Sequence, residues 1–443
     1  MNLNNFYGRI FTQKQISTSN IIQLKLSGKK ALIEKGKYVE CQRCYFKNLK
    51  AEVKLPNNEF YCRNCIQLGR ITSLDMLYHL NEPNIFDIPQ KVLTWKGTLS
   101  PYQTRCAQEL CKKVKQKKDH LIWAVTGAGK TEMLFPMLEE NLKVGKRIAI
   151  ASPRIDVCNE LYPRLQSAFK NIKIALLHGK SSMKYFYAQL TICTTHQLMK
   201  FKHAFDILVI DEIDSFPFVN DHNLHLTAER SCKKDGVKIY LTATPDEKSM
   251  QLIKQKKLSV GYLPLRFHQF PLPEIKFNLD KNLYRNLKKK KLSQFVKNTI
   301  QKWEKQGTPF LIFVPELKYL DPVLRCIQSE FPNLLGESVY AADPQRIKKI
   351  QALRDGKLRF LVTTTILERG VTFKNLDLMV YGAENNNFTC SSLVQIAGRV
   401  GRNKTKPDGD VYFIVKYYNQ NVKKAAGQIK YLNRKARKLL NEY

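Results

Sequence analysis

The sequence predicts an α/β protein with two parallel-sheet lobes, preceded by a small N-terminal module built on four cysteines. Three observations carry that prediction. Short apolar runs alternate with amphipathic stretches between residues 99 and 257, and again between 281 and 443, which is the pattern of βαβ units and parallel sheets. The segment Ala124–Thr131 joins an apolar run to a helical pattern through Gly127 and Gly129. Two Cys-x-x-Cys pairs, Cys41/Cys44 and Cys62/Cys65, are separated by 17 residues.

The chain of 443 residues suits about three domains at roughly 150 residues each. Residues 1–40 are polar and lysine-rich, with residues 21–26 as a candidate strand. Residues 41–98 hold the cysteine pairs and a connector with Pro83 and Pro89. In the first lobe, residues 99–257, the expected strands are 121–125, 147–151, 173–177, 190–194, 207–210 and 238–242. Pro264, Pro271 and Pro273 mark residues 258–280 as an extended linker. In the second lobe, residues 281–443, strands are expected at 310–314, 358–363, 376–381 and 410–415, with helices at 288–306, 317–329 and 343–354 and a basic C-terminal helix at 421–440.

Lys and Arg number 74 against 38 Asp and Glu, a net charge of +36. An excess spread along the chain favours a polyanionic partner, nucleic acid first. For single runs such as 112–118, 288–291 and 434–438, a solvated helix face or a lysine-rich codon bias serves equally well. Eleven irregularly placed cysteines indicate a reducing compartment rather than a disulfide framework. Residues 1–10 lack the apolar core of a secretory signal, and no run approaches the roughly 18 apolar residues of a membrane span. A cytoplasmic protein is expected, with a charge that admits loose association with the anionic inner face of the cell membrane.

Candidate chemistry concentrates in a few motifs. In Ala124–Thr131, Gly127 and Gly129 permit a tight turn whose N–H groups converge on phosphate. Thr126, Gly127, Ala128 and Gly129 form the cradle. Lys130 supplies charge for the β- and γ-phosphates of ATP, and Thr131 a hydroxyl for Mg²⁺. A glycine turn capping a helix is the plainer alternative, and Ala124 stands where the common phosphate loop has Gly. The run 206–214 ends in Asp211, Glu212 and Asp214, the way a strand delivers acids beside such a loop. Asp211 suits Mg²⁺, and Glu212 suits orienting and deprotonating water. Thr242 and Thr244 end another strand, where their hydroxyls can bond Asp214 or the backbone and link the two lobes. Gln103 offers an amide to adenine, while Arg154 and Thr194–His196 suit a sugar–phosphate chain.

In the second lobe, Gln395, Arg399 and Arg402 follow a helical pattern in which a Gly precedes each arginine. Two arginines three apart are expected on one helical face, as trans-acting phosphate contacts, with Gln395 beside them. Thr363–Thr365 suits a nucleic-acid backbone, with Arg369 and Gly370 near the cleft. Cys41, Cys44, Cys62 and Cys65 have the spacing of a structural Zn²⁺ site with no open catalytic position. Redox dithiols are the alternative.

From about residue 99 to 415 these motifs occur in the order found in superfamily 2 DEAD-like helicases, which the chain resembles. Motif I is 124–131, Ia 151–154, II 211–214, III 242–244, V 363–370 and VI 395–402. The initial Ala matches this superfamily, and the resemblance implies two RecA-like lobes. A four-cysteine zinc module ahead of a compact core resembles the ComFA family, the late-competence ATPases of Gram-positive bacteria. The PriA helicases carry their zinc cysteines inside the second lobe, where this chain has none at that spacing. The ComFA resemblance implies ATP-driven translocation on single-stranded DNA during transformation, with ComFC-like and DprA-like partners; the sequence leaves the oligomeric state open, an oligomer included. An RNA helicase, or a nucleic-acid-binding scaffold with weak NTPase activity, is the alternative.

Overall fold

The computed structural model describes residues 3–368, 373, 375–404 and 406–441. By its contacts the chain divides into two units. One comprises Met1–Ile122 with Lys130–Gly261, the other Trp123–Gly129 with Tyr262–Tyr443.

The N-terminal module is two small antiparallel sheets. Its strands are β1 (Ile10–Thr12), β2 (Lys29–Lys30), β3 (Leu32–Lys35), β4 (Tyr38–Cys41), β5 (Lys47–Leu49) and β6 (Met76–His79). One sheet has the order β1-β6-β2 and the other β3-β4-β5. Residues 21–26, expected as a strand, instead take part in and follow a helix, Thr18–Gln23. Ser17 caps it by accepting the Asn20 N–H at 3.3 Å, and Ile21, Leu24 and Leu26 pack on Phe6, Phe11 and Ile16. A short run of apolar residues does not distinguish the two outcomes; the cap and the cluster decide.

The large sheet that follows contains β7 (His120–Ala124), β8 (Ile148–Ser152), β9 (Ile174–Leu177), β10 (Leu190–Thr194), β11 (Phe205–Asp211), β12 (Cys232–Thr242) and β13 (Ser259–Leu263). Its order is β13-β7-β12-β11-β8-β10-β9, and the run from β12 to β9 pairs in parallel. Strands β7, β8 and β10 are buried along their whole length, as expected where helices cover both faces of a parallel sheet.

The second sheet contains β14 (Lys276–Leu279), β15 (Phe310–Phe313), β16 (Gly336–Val339), β17 (Phe360–Thr363), β18 (Asp377–Tyr381) and β19 (Val411–Val415). It is parallel throughout, in the order β14-β19-β18-β15-β17-β16. Its core includes Trp303, Phe310, Phe360 and Tyr381. Residues 258–280, expected as an extended linker, contain β13 and β14. The prolines lie between these strands or at their ends, so they did not exclude strand pairing.

Within the first unit, Arg147 fastens the N-terminal module to the large sheet. Its side chain and that of Glu82 are both 0% exposed and form an ion pair. The guanidinium also donates to the carbonyls of Tyr7 at 3.0 Å and Ala188 at 3.2 Å, and to the Tyr185 hydroxyl at 2.7 Å. The rings of Tyr187, Phe201 and Phe205 surround it. Burial opposes the charge, yet Tyr185, Glu82 and Tyr187 raise the pKa of Arg147. Arg230 makes a second tie: it donates to the carbonyls of Gln42, Met199 and Phe201 and covers Tyr45.

Truncating one partner of a buried pair strands the other. Glu82→Leu is expected to lower unfolding stability by about 3–5 kcal/mol in urea titrations, with Arg147→Met in the same chain restoring part of the loss. A second expectation concerns His120. Its Nδ1 lies 2.8 Å from Ser259 Oγ, while Nε2 is buried without a partner among the described residues. Burial, with Lys113 contributing, lowers its pKa from 6.5 to about 4. The unfolded chain therefore takes up this proton first, and the neutral ring's contribution is lost as pH falls from about 6.5 to about 4, by at most ~3 kcal/mol. Urea titrations at pH 7 and pH 5 should show a smaller loss for His120→Asn than for the parent.

Candidate active site and cysteine cluster

Strand β7 ends at Ala124, which is fully buried. The next residues make the turn the spacing predicts. Gly127 and Gly129 have φ of +78° and +72°, values that an L side chain adopts only under strain. The Ala128 N–H donates to the Val125 carbonyl at 3.3 Å, and the Val125 N–H to Leu263 of β13 at 3.0 Å. A helix, Lys130–Met133, begins directly after the turn, and Thr131 is buried in it.

Strand β11 delivers Asp211 to the C-terminal edge of the large sheet, where Lys130 Nζ stands 3.3 Å from Asp211 Oδ1. Burial pulls the lysine's pKa down, but Asp211, Glu212 and Asp214 outweigh it and raise it, so the ammonium stays charged. Burial likewise raises the pKa of Asp211, with Glu212 adding to the effect and Lys130 opposing it. Glu212 has φ of +54°, a left-handed conformation that costs a non-glycine residue of order 1–3 kcal/mol. Its N–H donates to Asp211 Oδ1 at 2.8 Å, and Ser215 Oγ donates to its Oε2 at 3.1 Å. Asp214 accepts from both Thr242 and Thr244 hydroxyls at 2.7 Å. Of the partners the sequence left open for these hydroxyls, Asp214 is bonded by both, and Thr242 Oγ1 also accepts the Thr244 N–H at 2.9 Å.

In the second unit, Gln395 lies buried on the helix Cys390–Ala397. That helix ends before the arginines, with Gly398 as its C-cap. Arg399 and Arg402 therefore do not share a helical face; they sit in the turn beyond it, where Gly401 has φ of +67°. Close approach explains the first glycine: a Cβ on Gly398 would come within 2.0 Å of Thr126 Oγ1, whose hydroxyl is 3.3 Å from the Gly398 carbonyl. Arg399 is buried and donates from Nε to the Glu368 carbonyl at 3.0 Å, while Arg402 Nε donates to Gly398 at 3.0 Å. Glu368 is itself held by Ser392 Oγ at 2.6 Å. Arg369 and Gly370 lie outside the described residues.

Other predicted contacts divide. Gln103 is buried, and its Oε1 accepts the Ser100 N–H at 2.9 Å in a capping box, a signature legible in Ser100-x-x-Gln103. Thr195 and Thr363 are fully buried, so they do not present hydroxyls at the surface as expected for a sugar–phosphate contact. Arg154 does line an open cleft of about 640 Å³, with Asn159, His178, Lys180 and Ser181. These last four escaped sequence reasoning: His178, Lys180 and Ser181 lie in a loop after the edge strand β9, which carries no periodic signal, and Asn159 is a polar position on the helix Ile155–Ala168.

The four predicted cysteines converge. Their Sγ atoms all lie within 4.8 Å of one another and are buried. Cys41–Cys65 and Cys44–Cys62 are 3.8 and 3.5 Å apart, close to the roughly 3.8 Å edge of a tetrahedron with Zn–S bonds near 2.3 Å. Arg43 donates from Nε to Cys65 Sγ at 3.4 Å and braces the turn through the Cys65 and Gly69 carbonyls. Cys65 is pushed toward thiolate by its three neighbours and Arg43, whereas Cys44 is pushed up. This donor set fits a thiolate-binding metal.

Comparison with known proteins agrees with these features. The family description "DEAD/DEAH box helicase" matches residues 100–253, "Helicase conserved C-terminal domain" residues 288–404, and "Competence protein ComFA N-terminal domain" residues 6–79. Among solved structures, DEAD-box helicase Mss116 bound to ssRNA and UDP-BeF is 17% identical at a TM-score of 0.51, covering 75% of this chain and 77% of that one, which shows the fold alone. Competence protein ComFA of Bacillus subtilis is 40% identical over 413 residues, 92% of this chain and 88% of that protein. Competence protein ComFA of Streptococcus pneumoniae is 41% identical over 434 residues, 97% of this chain and 98% of that protein. With the cysteine module and both helicase regions included in that match, the chain belongs to the ComFA family of competence-associated, DEAD-like superfamily 2 helicases and ATPases.

Proposed function

We propose that this protein is an ATP-dependent translocase on single-stranded DNA, acting in DNA uptake during transformation. The observation that carries the reading is Lys130 held 3.3 Å from Asp211 beside a turn built on two positive-φ glycines. Incoming phosphate oxygens replace Asp211 as the counter-charge of Lys130. Asp211 and the Thr131 hydroxyl are the groups that would hold Mg²⁺, which would supply neutralisation of phosphate charge. The cradle 126–129 takes the phosphates on its N–H groups, and Gln103 supplies the adenine contact. Glu212 orients water and takes its proton. Arg399 and Arg402 stabilise the charge that develops on the transferred phosphoryl group, with Gln395 placing water or the phosphate.

A nucleic-acid partner is supported by family membership, by the net charge of +36 and by the cleft at Arg154, His178 and Lys180. Cys41, Cys44, Cys62 and Cys65 are the ligands that would hold Zn²⁺, which would fix the N-terminal module. Family membership supports a cytoplasmic site of action at the inner membrane face, with ComFC-like and DprA-like proteins as partners; among the described residues no helix is long and apolar enough to cross a membrane.

Lys130→Ala should reduce ATP turnover at least 100-fold while leaving DNA binding intact, measured by phosphate release and by filter binding. Undiminished hydrolysis would sink the site assignment. Turnover should rise with single-stranded DNA more than with RNA of equal length; the reverse order favours an RNA helicase, and no turnover with any nucleic acid favours a scaffold. The purified chain should carry one zinc by elemental analysis. Removing it with a strong chelator should lower the melting midpoint, whereas a metal-free chain with an unchanged midpoint would show that the four cysteines hold no metal.

A further inference from the structure

Arg266 is a buried cation whose hydrogen-bonding capacity is only partly used. It follows β13 in a tight turn closed by bonds from the Arg266 N–H to Phe270 and from the Gln269 N–H to Arg266, at 3.1 and 2.8 Å. The side chain is 2% exposed. Nη1 donates to the Gly401 carbonyl, and His268 Nε2 is 3.0 Å from the same oxygen. Among the described residues Nε and Nη2 are buried with no partner, and no carboxylate pairs with the guanidinium. These two atoms carry the parallel pair of N–H groups that grips a phosphate or carboxylate in bidentate fashion.

The neighbourhood names the anion. The next residue, Phe267, donates its N–H to the Gly127 carbonyl at 2.8 Å, so the turn that carries Arg266 is bonded to the glycine turn of the 123–129 segment. Gly401, on the other side, precedes Arg402, whose charge joins burial in lowering the pKa of Arg266 to about 9. Two like charges are thus held close together beside a phosphate-type turn. A protein that needed only to hold the Gly401 carbonyl could do so with a neutral donor, at far smaller desolvation cost.

We propose that Arg266 is a further phosphate-contacting residue of the nucleotide site, gripping an oxygen-bearing phosphate group of ATP through Nε and Nη2 beside Arg402. This rests on the reading of Ala124–Thr131 as the nucleotide loop. Arg266 would give the site a cation supplied by the segment after β13 as well as those of the Arg399–Arg402 turn. The unliganded protein bears a stranded charge that ATP binding relieves.

The test uses the full chain with Arg266→Met and Arg266→Lys, reading melting midpoints without ligand, midpoint shifts with ATP, ADP and inorganic phosphate, and ATP affinity by competition with a fluorescent nucleotide. Arg266→Met removes an unpaired buried charge, so its ligand-free midpoint should equal or exceed the parent's, while its ATP affinity falls at least about tenfold. Arg266→Lys, which keeps the charge without the parallel donors, should fall between. A Met variant that melts below the parent yet binds ATP within twofold would make Arg266 an anchor for Gly401 and overturn the proposal. Should Arg266→Met not fold, Arg266→Lys binding ATP within twofold overturns it equally. If the parent fails to bind ATP, or Lys130→Ala leaves its affinity unchanged, the nucleotide reading itself fails and this proposal with it. Loss of binding in Lys130→Ala alone, with both Arg266 variants unaffected, removes only the role of Arg266.

Discussion

The charge of Lys130 is the constraint around which the first unit is arranged. An ammonium at the buried edge of a parallel sheet survives only if anions answer it. Asp211, Glu212 and Asp214 do so together, raising its pKa against the pull of burial. The acids are placed by several features: β11 lies between β12 and β8 and ends at Asp211, Glu212 takes a left-handed backbone, and Asp214 is held by two threonine hydroxyls. An open parallel-sheet edge holding a cation and three acids is where α/β proteins place ligands. Phosphate oxygens would compete with Asp211 for Lys130.

A second buried cation performs a structural task. Arg147 reaches from the start of β8 to Tyr7 and Glu82, while Arg230, at the end of the helix His222–Ser231, reaches the carbonyl of Gln42 between the paired cysteines. The helix carrying Arg230 begins eight residues after Asp214. The cysteine module is therefore bonded into the same unit as the acidic cluster rather than hung from it. Its metal, on the proposed reading, stabilises a surface of the ATPase lobe as well as its own fold.

Legibility in the sequence followed the physics of each signal. Fully buried parallel strands leave continuous apolar runs, so β7, β8, β10 and β17 were legible to within a residue or two. Edge strands divide: β14 and β16 are short and carry polar residues and β13 was hidden among prolines, whereas β9 is wholly apolar and was legible as 173–177. Residues 21–26 show the limit of short apolar runs, where a serine cap and a tertiary cluster chose the helix. Side-chain types at fixed spacing revealed the four cysteines, Lys130 and the acids, because such chemistry requires them. The geometry of Arg399 and Arg402 was not legible as a helical face, since Gly398 ends the helix there. Arg266 was illegible because only burial and unmade hydrogen bonds distinguish it from the other arginines of a basic chain. Thr195 and Thr363 erred in the opposite sense: their types suit a nucleic-acid backbone, but the sheet buries them.

The decisive measurement is nucleotide binding and hydrolysis by Glu212→Gln, which keeps the shape of the acidic cluster and removes one proton acceptor. If Glu212 serves as the base beside Lys130 and Asp211, this variant binds ATP as tightly as the parent but turns it over at least 100-fold more slowly with saturating single-stranded DNA. Hydrolysis at the parental rate would contradict the assignment of this cluster as the catalytic centre.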